Sequence, residues 1–200
     1  NDTIAAMTAS GKGLLAADES TNTIKKRFDT ITLESTEESR RDYREMLFTT
    51  PQISDYISGV ILFEETLSQA ARSGQPLADL LMAQGILPGI KVDKGPIPLN
   101  PGSAEKCTQG LDGLGEKLQQ ARELGARFAK WRGVYSIAHT LPSRQSIHVN
   151  AEGLARYAAI CQSEGIVPIV EPEVLMDGEH GIDRCERVTT EVLAAVFNAL

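Results

Sequence analysis

Cysteine, histidine, aromatic residues and long apolar runs are all scarce in this sequence. Three cysteines among 200 residues, Cys107, Cys161 and Cys185, cannot all pair and show no close metal-type spacing. That pattern fits buried free thiols in a reducing compartment. The three histidines, His139, His148 and His180, are scattered rather than clustered, so no metal is expected and no cofactor is called for. No apolar stretch approaches the roughly 20 residues of a membrane helix. The amino end, NDTIAAMTASGKG, lacks the cationic start and long apolar centre of a secretory signal. No membrane partner is expected, and the cytoplasm is the expected location, with a plastid as the alternative after processing. A net charge of -7 argues against a general nucleic-acid surface, so any anionic ligand must be held by local positive charge. The sequon Asn1-Asp2-Thr3 lies at a terminus without a signal and is read as chance.

What the sequence does contain is ordinary for a globular chain: 42% apolar and 24% charged residues over a length that suits one domain, taken as 1–200. One unit recurs along it, a short apolar run with a polar end followed by an amphipathic stretch. The runs are GLLAAD (13–18), ISGVILFE (57–64), ILPGIKVD (86–93), ARFAKWR (126–132) and IVPIVEPE (166–173). The last reads as a fully buried strand. Helical segments lie between the runs. TEESRRDYREMLF (36–48) opens on Thr36 with Glu37 and Glu38 behind it, and PLADLLMAQG (76–85) and LDGLGEKLQQARELG (111–125) close on glycine. NAEGLARYAAICQSEG (150–165) starts at a plausible cap in Asn150, and DRCERVTTEVLAAVFNAL follows. Alternation at this spacing predicts an α/β fold of parallel βα units, five of them visible.

The polar residues choose between a barrel and an open sheet. Lys91 and Asp93, Lys130 and Arg132, and Glu171 and Glu173 each stand two apart, and are taken to mark the carboxyl ends of their runs; Asp18 ends the first. Spacing of two places each pair on one face of a strand. In a (β/α)8 TIM barrel those faces converge at the end where such enzymes work. A doubly wound sheet calls for a glycine-rich phosphate loop after the first strand, where DESTNTIKKR stands instead. Gly110, Gly113 and Gly115 follow no strand-like run and are read as loop and cap. A barrel is therefore expected.

Glu171 and Glu173 point the same way, and two like charges side by side need an offset. Lys91, Lys94, Lys130 and Arg132 would face them across the barrel mouth. Either each pair is an ion-pair clamp closing the barrel top, or the charges serve chemistry. Guanidinium and ammonium groups gathered in an acidic protein suit a phosphorylated substrate. Carboxylates beside lysines can shuttle protons, and a neighbouring cation brings a lysine toward the free amine that attacks carbonyls. These are the parts of a carbonyl enzyme working through a Schiff base.

The stretches GKGLLAADESTNTIKKR, GIKVDKG, FAKWR and PIVEPEVL, in this order over essentially the whole chain, closely resemble class I fructose-bisphosphate aldolase. The resemblance implies a (β/α)8 barrel assembled as a homotetramer. It also implies metal-independent, reversible cleavage of fructose 1,6-bisphosphate into dihydroxyacetone phosphate and glyceraldehyde 3-phosphate, a step of glycolysis and gluconeogenesis. By that resemblance Asp18 handles the C4 hydroxyl proton, Glu171 is the acid/base that forms and dehydrates the carbinolamine, and Glu173 orients the lysines. Lys130 contacts substrate and stabilises developing charge, Lys91 and Arg132 lie near the six-phosphate end, and Thr23 and Arg27 contact phosphate, Thr23 replacing a serine. Arg40 matches a further substrate-linked arginine.

The Schiff-base lysine of the family sits in a segment like LEGTLLKPN on a sixth strand, and no such segment occurs here. About the first five βα units are expected to be present, as the amino-terminal part of a longer enzyme, with that lysine beyond the end and the 200-residue chain alone inactive. A metal-dependent aldolase of the second class would need clustered histidines. A non-catalytic sugar-phosphate or protein-binding scaffold on the same barrel is the rival from another class, and its signature would be loss of the charged ends.

Overall fold

The computed structural model describes residues 2–200, and Asn1 of the sequon lies outside them. The elements in chain order are α1 (Asp2–Met7), β1 (Gly13–Ala17), α2 (Thr21–Asp29), α3 (Glu37–Phe48), α4 (Ile53–Tyr56), β2 (Ile57–Leu62), α5 (Glu64–Ser68), α6 (Leu77–Met82), β3 (Leu87–Lys91), β4 (Pro96–Pro98), β5 (Lys106–Thr108), α7 (Leu114–Glu123), β6 (Phe128–Tyr135), α8 (Arg144–Ser163), β7 (Val167–Val174) and α9 (Ile182–Ala199). Two compact units result, one of residues 1–91 and 118–129, the other of 92–117 and 130–200.

In the first unit β1 pairs parallel with β2, and β2 with β3. The amide of Arg127 donates to Pro88 O at 2.9 Å and brings the start of β6 alongside β3. The tight spot in this unit is the Phe128 ring, fully buried against two glycines. A Cβ added at Gly89 would stand 2.2 Å from that ring, and one at Gly59 3.0 Å. These strands need glycine to let an aromatic ring lie on the backbone, not for an unusual φ. In the same unit Val60, Leu62, Ile90, Leu77 and Leu81 are buried as well.

In the second unit the amide of Val92 donates to Lys130 O at 3.1 Å, and that of Leu175 to Tyr135 O at 2.9 Å, the latter joining β7 to β6. Side chains alternate along β6. Trp131 stacks on Tyr157 of α8 with centroids 5.5 Å apart, and a Cβ at Gly133 would meet Leu154 at 3.4 Å. Odd-numbered positions of β6 therefore face the helix, leaving Lys130 and Arg132 on the opposite face. Burial holds the Tyr135 phenol up at about 12 and the Cys161 thiol at about 12.

Four local expectations are corrected. Helix α8 begins at Arg144 behind Ser143, whose hydroxyl accepts from the Ser146 amide, so Asn150 is no cap. Asn150 is buried mid-helix, donating to Lys106 O at 2.9 Å and accepting from the Thr108 amide at 3.3 Å, and so ties the β4–β5 hairpin to α8. That antiparallel hairpin means the Gly110–Gly115 cluster does follow a strand, β5, too short and polar to show in the apolar pattern. Lys130 and Arg132 are not at the end of their strand, because β6 runs three residues past Arg132, to Tyr135. Strand β7 is half-buried along its whole length rather than fully buried. Among the described residues of its own unit it has β6 as its strand neighbour, with α8 and α9 covering it.

Cys161 is buried, while Cys107 and Cys185 are partly exposed. The thiolate is the reactive form, so a thiol pushed to about 12 is inert at pH 8. Alkylation of native protein at pH 8, read by peptide mass spectrometry, is expected to label Cys107 and Cys185 and to spare Cys161 until denaturant is added. Equal labelling of all three before denaturation would contradict the packing of α8.

Candidate functional site

The first unit presents its charges on one edge. Register aligns Ala17 with Leu62 and Leu62 with Ile90. One residue further on come Asp18, Phe63 and Lys91, at the same level of three parallel strands. Two strand spacings separate the acid from the ammonium-bearing residue, about 10 Å between backbones. Both residues are half-buried. Just beyond, Ser20 caps α2, its hydroxyl accepting from the Thr23 amide and lying 3.0 Å from the Thr23 hydroxyl. Thr23 and Arg27 share an exposed turn of that helix, and Arg27 donates to the buried Glu19 carboxylate.

Helix α3 is capped reciprocally by Thr36 and Ser39. Arg40 on its first turns donates Nε to Glu65 at 2.8 Å and a second nitrogen to the other oxygen of the same carboxylate. A third bond goes to Ser35 O at 3.1 Å. Arg40 is thus engaged from within its own unit. The hydrogen bond from Arg40 is the main reason that the Glu65 carboxyl lies below its ordinary value of 4.5. A carboxyl lowered by folding adds stability that is fully present above its unfolded value and is lost as pH falls through the folded one. Glu65→Gln is therefore expected to cost stability at pH 7 and progressively less as pH falls below 4.5 toward the lowered folded value, where the wild-type carboxylate takes up its proton. Urea midpoints from pH 7 to pH 3 test this, and a constant difference across the range would contradict it.

The second unit holds a ladder of two ion pairs. Lys130 Nζ lies 3.3 Å from Glu171 Oε1, and Arg132 donates to Glu173 Oε2 at 2.9 Å. The two differ in wetness: the Lys130 side chain is 9% exposed and that of Glu171 35%, against 39% and 37% for Arg132 and Glu173. Alternation along β7 puts both glutamates on the β6-cation face, and each receives its own counter-charge. Carboxylates about 7 Å apart repel by about 2 kcal/mol at an effective dielectric near 20. A cation about 3 Å from each outweighs that, less so at the wetter Arg132–Glu173 pair, where solvent screens. Asp93, beyond the end of β3, is buried, and its Oδ1 accepts from the Gly95 amide at 3.0 Å.

Chemically, an ammonium held dry against a carboxylate can pass a proton or stabilise a developing negative charge. The more open guanidinium two residues away suits an anionic oxygen. Among the described residues, no group of three or more His, Cys, Asp or Glu is placed to hold a metal ion, and no helix is long and apolar enough to cross a membrane.

The sequence reading missed three residues around Asp18: Glu19, Tyr43 and Arg44. Arg44 is wholly buried, its Nε donating to Ala17 O at 3.3 Å and Nη2 to Glu19 O at 2.8 Å. The signal was there, since Arg44 stands four residues before the buried Phe48 and so lies on the inward stripe of α3. A charge on an apolar stripe needs buried acceptors.

The model of the family described as fructose-bisphosphate aldolase class-I matches residues 1–200. The chain belongs to the class I fructose-bisphosphate aldolase family. It is 55% identical over 199 residues to a probable fructose-bisphosphate aldolase class 1 of Xanthomonas campestris pv. campestris, covering 100% of this chain and 60% of that protein. It is 60% identical over 194 residues to fructose-bisphosphate aldolase 1 of Toxoplasma gondii, covering 96% of this chain and 53% of the relative. It is 57% identical over 190 residues to cytosolic fructose-bisphosphate aldolase 4 of Arabidopsis thaliana, covering 95% and 48%. Among solved structures it is similar, at a TM-score of 0.97 and 54% identity, to the aldolase of Plasmodium falciparum in a ternary complex with TRAP and a small-molecule inhibitor; it is covered completely and spans 58% of that chain. The expected α/β fold, a parallel half-barrel sheet consistent with part of the aldolase TIM barrel, is thereby shown, and this aldolase-family chain spans about half to 60% of the length of these relatives.

Proposed function

We propose that this aldolase-family chain is part of an enzyme that reversibly cleaves fructose 1,6-bisphosphate into dihydroxyacetone phosphate and glyceraldehyde 3-phosphate through a lysine Schiff base, without a metal. The observation that carries the reading is the Lys130–Glu171 pair, a nearly buried ammonium 3.3 Å from a half-exposed carboxylate on the adjoining strand. In the proposed cycle Glu171 donates and withdraws protons as the carbinolamine forms and loses water, and the charge of Lys130 stabilises the oxygen that departs. Glu173, bound to Arg132, holds the row of charges in order, and Arg132 and Lys91 receive the six-phosphate end. Asp18 takes the C4 hydroxyl proton as the carbon–carbon bond breaks. Thr23, Arg27 and Arg40 are assigned to phosphate and substrate contact; Arg40 must exchange its bonds to Glu65 to do so.

The lysine that forms the Schiff base lies, in this reading, in the part of the relatives' length that the chain does not span. Residues 1–200 belong to a single barrel domain, the enzyme is a homotetramer, and its location is the cytosol, as the description of the Arabidopsis relatives supports. Activity of the full-length enzyme on fructose 1,6-bisphosphate with excess chelator is the test. Turnover that persists is expected. Loss of turnover that added zinc restores would instead indicate a metal enzyme, and no turnover on any phosphorylated ketose would leave the scaffold reading standing.

A further inference from the structure

Asp18 follows the last residue of β1 and precedes the cap of α2, where the strand gives way to the loop. A residue that must hold a carboxylate within a few tenths of an ångström of a reacting proton needs a firmly held backbone on both sides. Arg44 reaches up from α3 and supplies it. Its guanidinium donates to the carbonyl on each side of Asp18, Ala17 O at 3.3 Å and Glu19 O at 2.8 Å, with the Glu19 carboxylate 3.7 Å away. None of the Arg44 side chain is exposed, and its Nη1 has no hydrogen-bond partner among the described residues. The Glu19 carboxylate in turn accepts from Arg27 and from the Tyr43 hydroxyl at 3.4 Å, and Tyr43 meets Phe28 of α2 edge-on at 5.8 Å. The loop is therefore gripped through its backbone on either side of Asp18.

We propose that Arg44 is a positioning residue for the aldol cleavage step, clamping the two carbonyls that flank Asp18 so that its carboxylate stays at the level of Lys91 on the sheet edge. The inference rests on the reading of Asp18 as the cleavage carboxylate. A planar guanidinium can span two carbonyls that stand two residues apart, and an ammonium has no such fork. Arg44 touches no substrate in this account, so it acts on kcat through Asp18 and leaves substrate binding and Schiff-base formation alone.

The test uses the full-length enzyme and four forms: wild type, Arg44→Lys, Asp18→Asn and the double variant. Arg44→Lys keeps the buried charge and so has the best prospect of folding; Arg44→Met, judged by circular dichroism, is the harsher second variant. Arg44→Lys is expected to lower kcat about tenfold to a hundredfold with KM within about twofold, and borohydride trapping of dihydroxyacetone phosphate is expected to proceed as in wild type. The double variant is expected to be no slower than Asp18→Asn alone, because a clamp on an absent carboxylate has nothing to position. Wild-type kcat in Arg44→Lys, a change confined to KM, or multiplicative losses in the double variant would each overturn the proposal. If Asp18→Asn itself keeps wild-type kcat, the reading of Asp18 has failed and this inference fails with it. An inactive Asp18→Asn beside a fully active Arg44→Lys sinks the clamp alone.

Discussion

Replacing Lys130 with methionine in the full-length enzyme is expected to lower kcat by about two to four orders of magnitude while moving the melting temperature little. Lys130 is the driest charge of the β6–β7 ladder, and a group stabilising charge from a water-poor site contributes more than one in solvent. Methionine fills the same stem volume and removes only the ammonium. Glu171, a third exposed, can be solvated when its partner goes, which is why stability should survive. Arg132→Ala is the control, since it is wetter and assigned to phosphate, and is expected to raise KM more than it lowers kcat. A Lys130→Met enzyme that keeps its kcat but melts several degrees lower would mean that the ladder is a structural clamp, the other reading that the spacing alone had left open.

Gly89→Ala is expected to be the most damaging one-carbon change in the first unit. The added Cβ would stand 2.2 to 2.5 Å from three atoms of the Phe128 ring, far inside contact distance, and the ring is wholly buried. Neither a backbone strand nor a packed ring can move cheaply, so the cost should reach about 3 kcal/mol or more, roughly 6–12 °C in Tm for a chain of this size. Gly89 has no left-handed φ, so the penalty is one of space and not of backbone conformation. Adding Phe128→Leu, itself destabilising through the cavity it leaves, should recover part of the loss, a coupling of opposite sign to the single effects. A Gly89→Ala protein as stable as wild type would show that the ring does not lie over the strand.

The strands were legible because they are apolar runs bounded by glycine and charge, and all five appear within a few residues of where the pattern put them. The two glutamates of β7 were legible for a simple reason: period two is independent of tertiary context, and a pair of like charges demands cations that Lys130 and Arg132 supply. What the pattern hid was of three kinds. The β4–β5 hairpin is short and largely exposed, so it has no hydrophobic period, and Asn150 looked like a cap because asparagine favours that position, whereas its side chain bonds the hairpin and the Ser146 carbonyl one turn back. The position of Lys130 and Arg132 within β6 was misjudged because GVY continues the strand with no turn residue to stop it. Arg44 was overlooked because a buried arginine reads as surface charge unless its phase on the helix is compared with Phe48.

Covalent trapping tests the central claim most directly. Full-length enzyme is incubated with dihydroxyacetone phosphate in excess chelator, reduced with borohydride and mapped by peptide mass spectrometry. The account predicts one stable adduct, on a lysine outside residues 1–200, with Lys91, Lys94 and Lys130 unmodified and turnover lost in proportion. An adduct on Lys130, or an enzyme that turns over but leaves no adduct on any lysine, would contradict it.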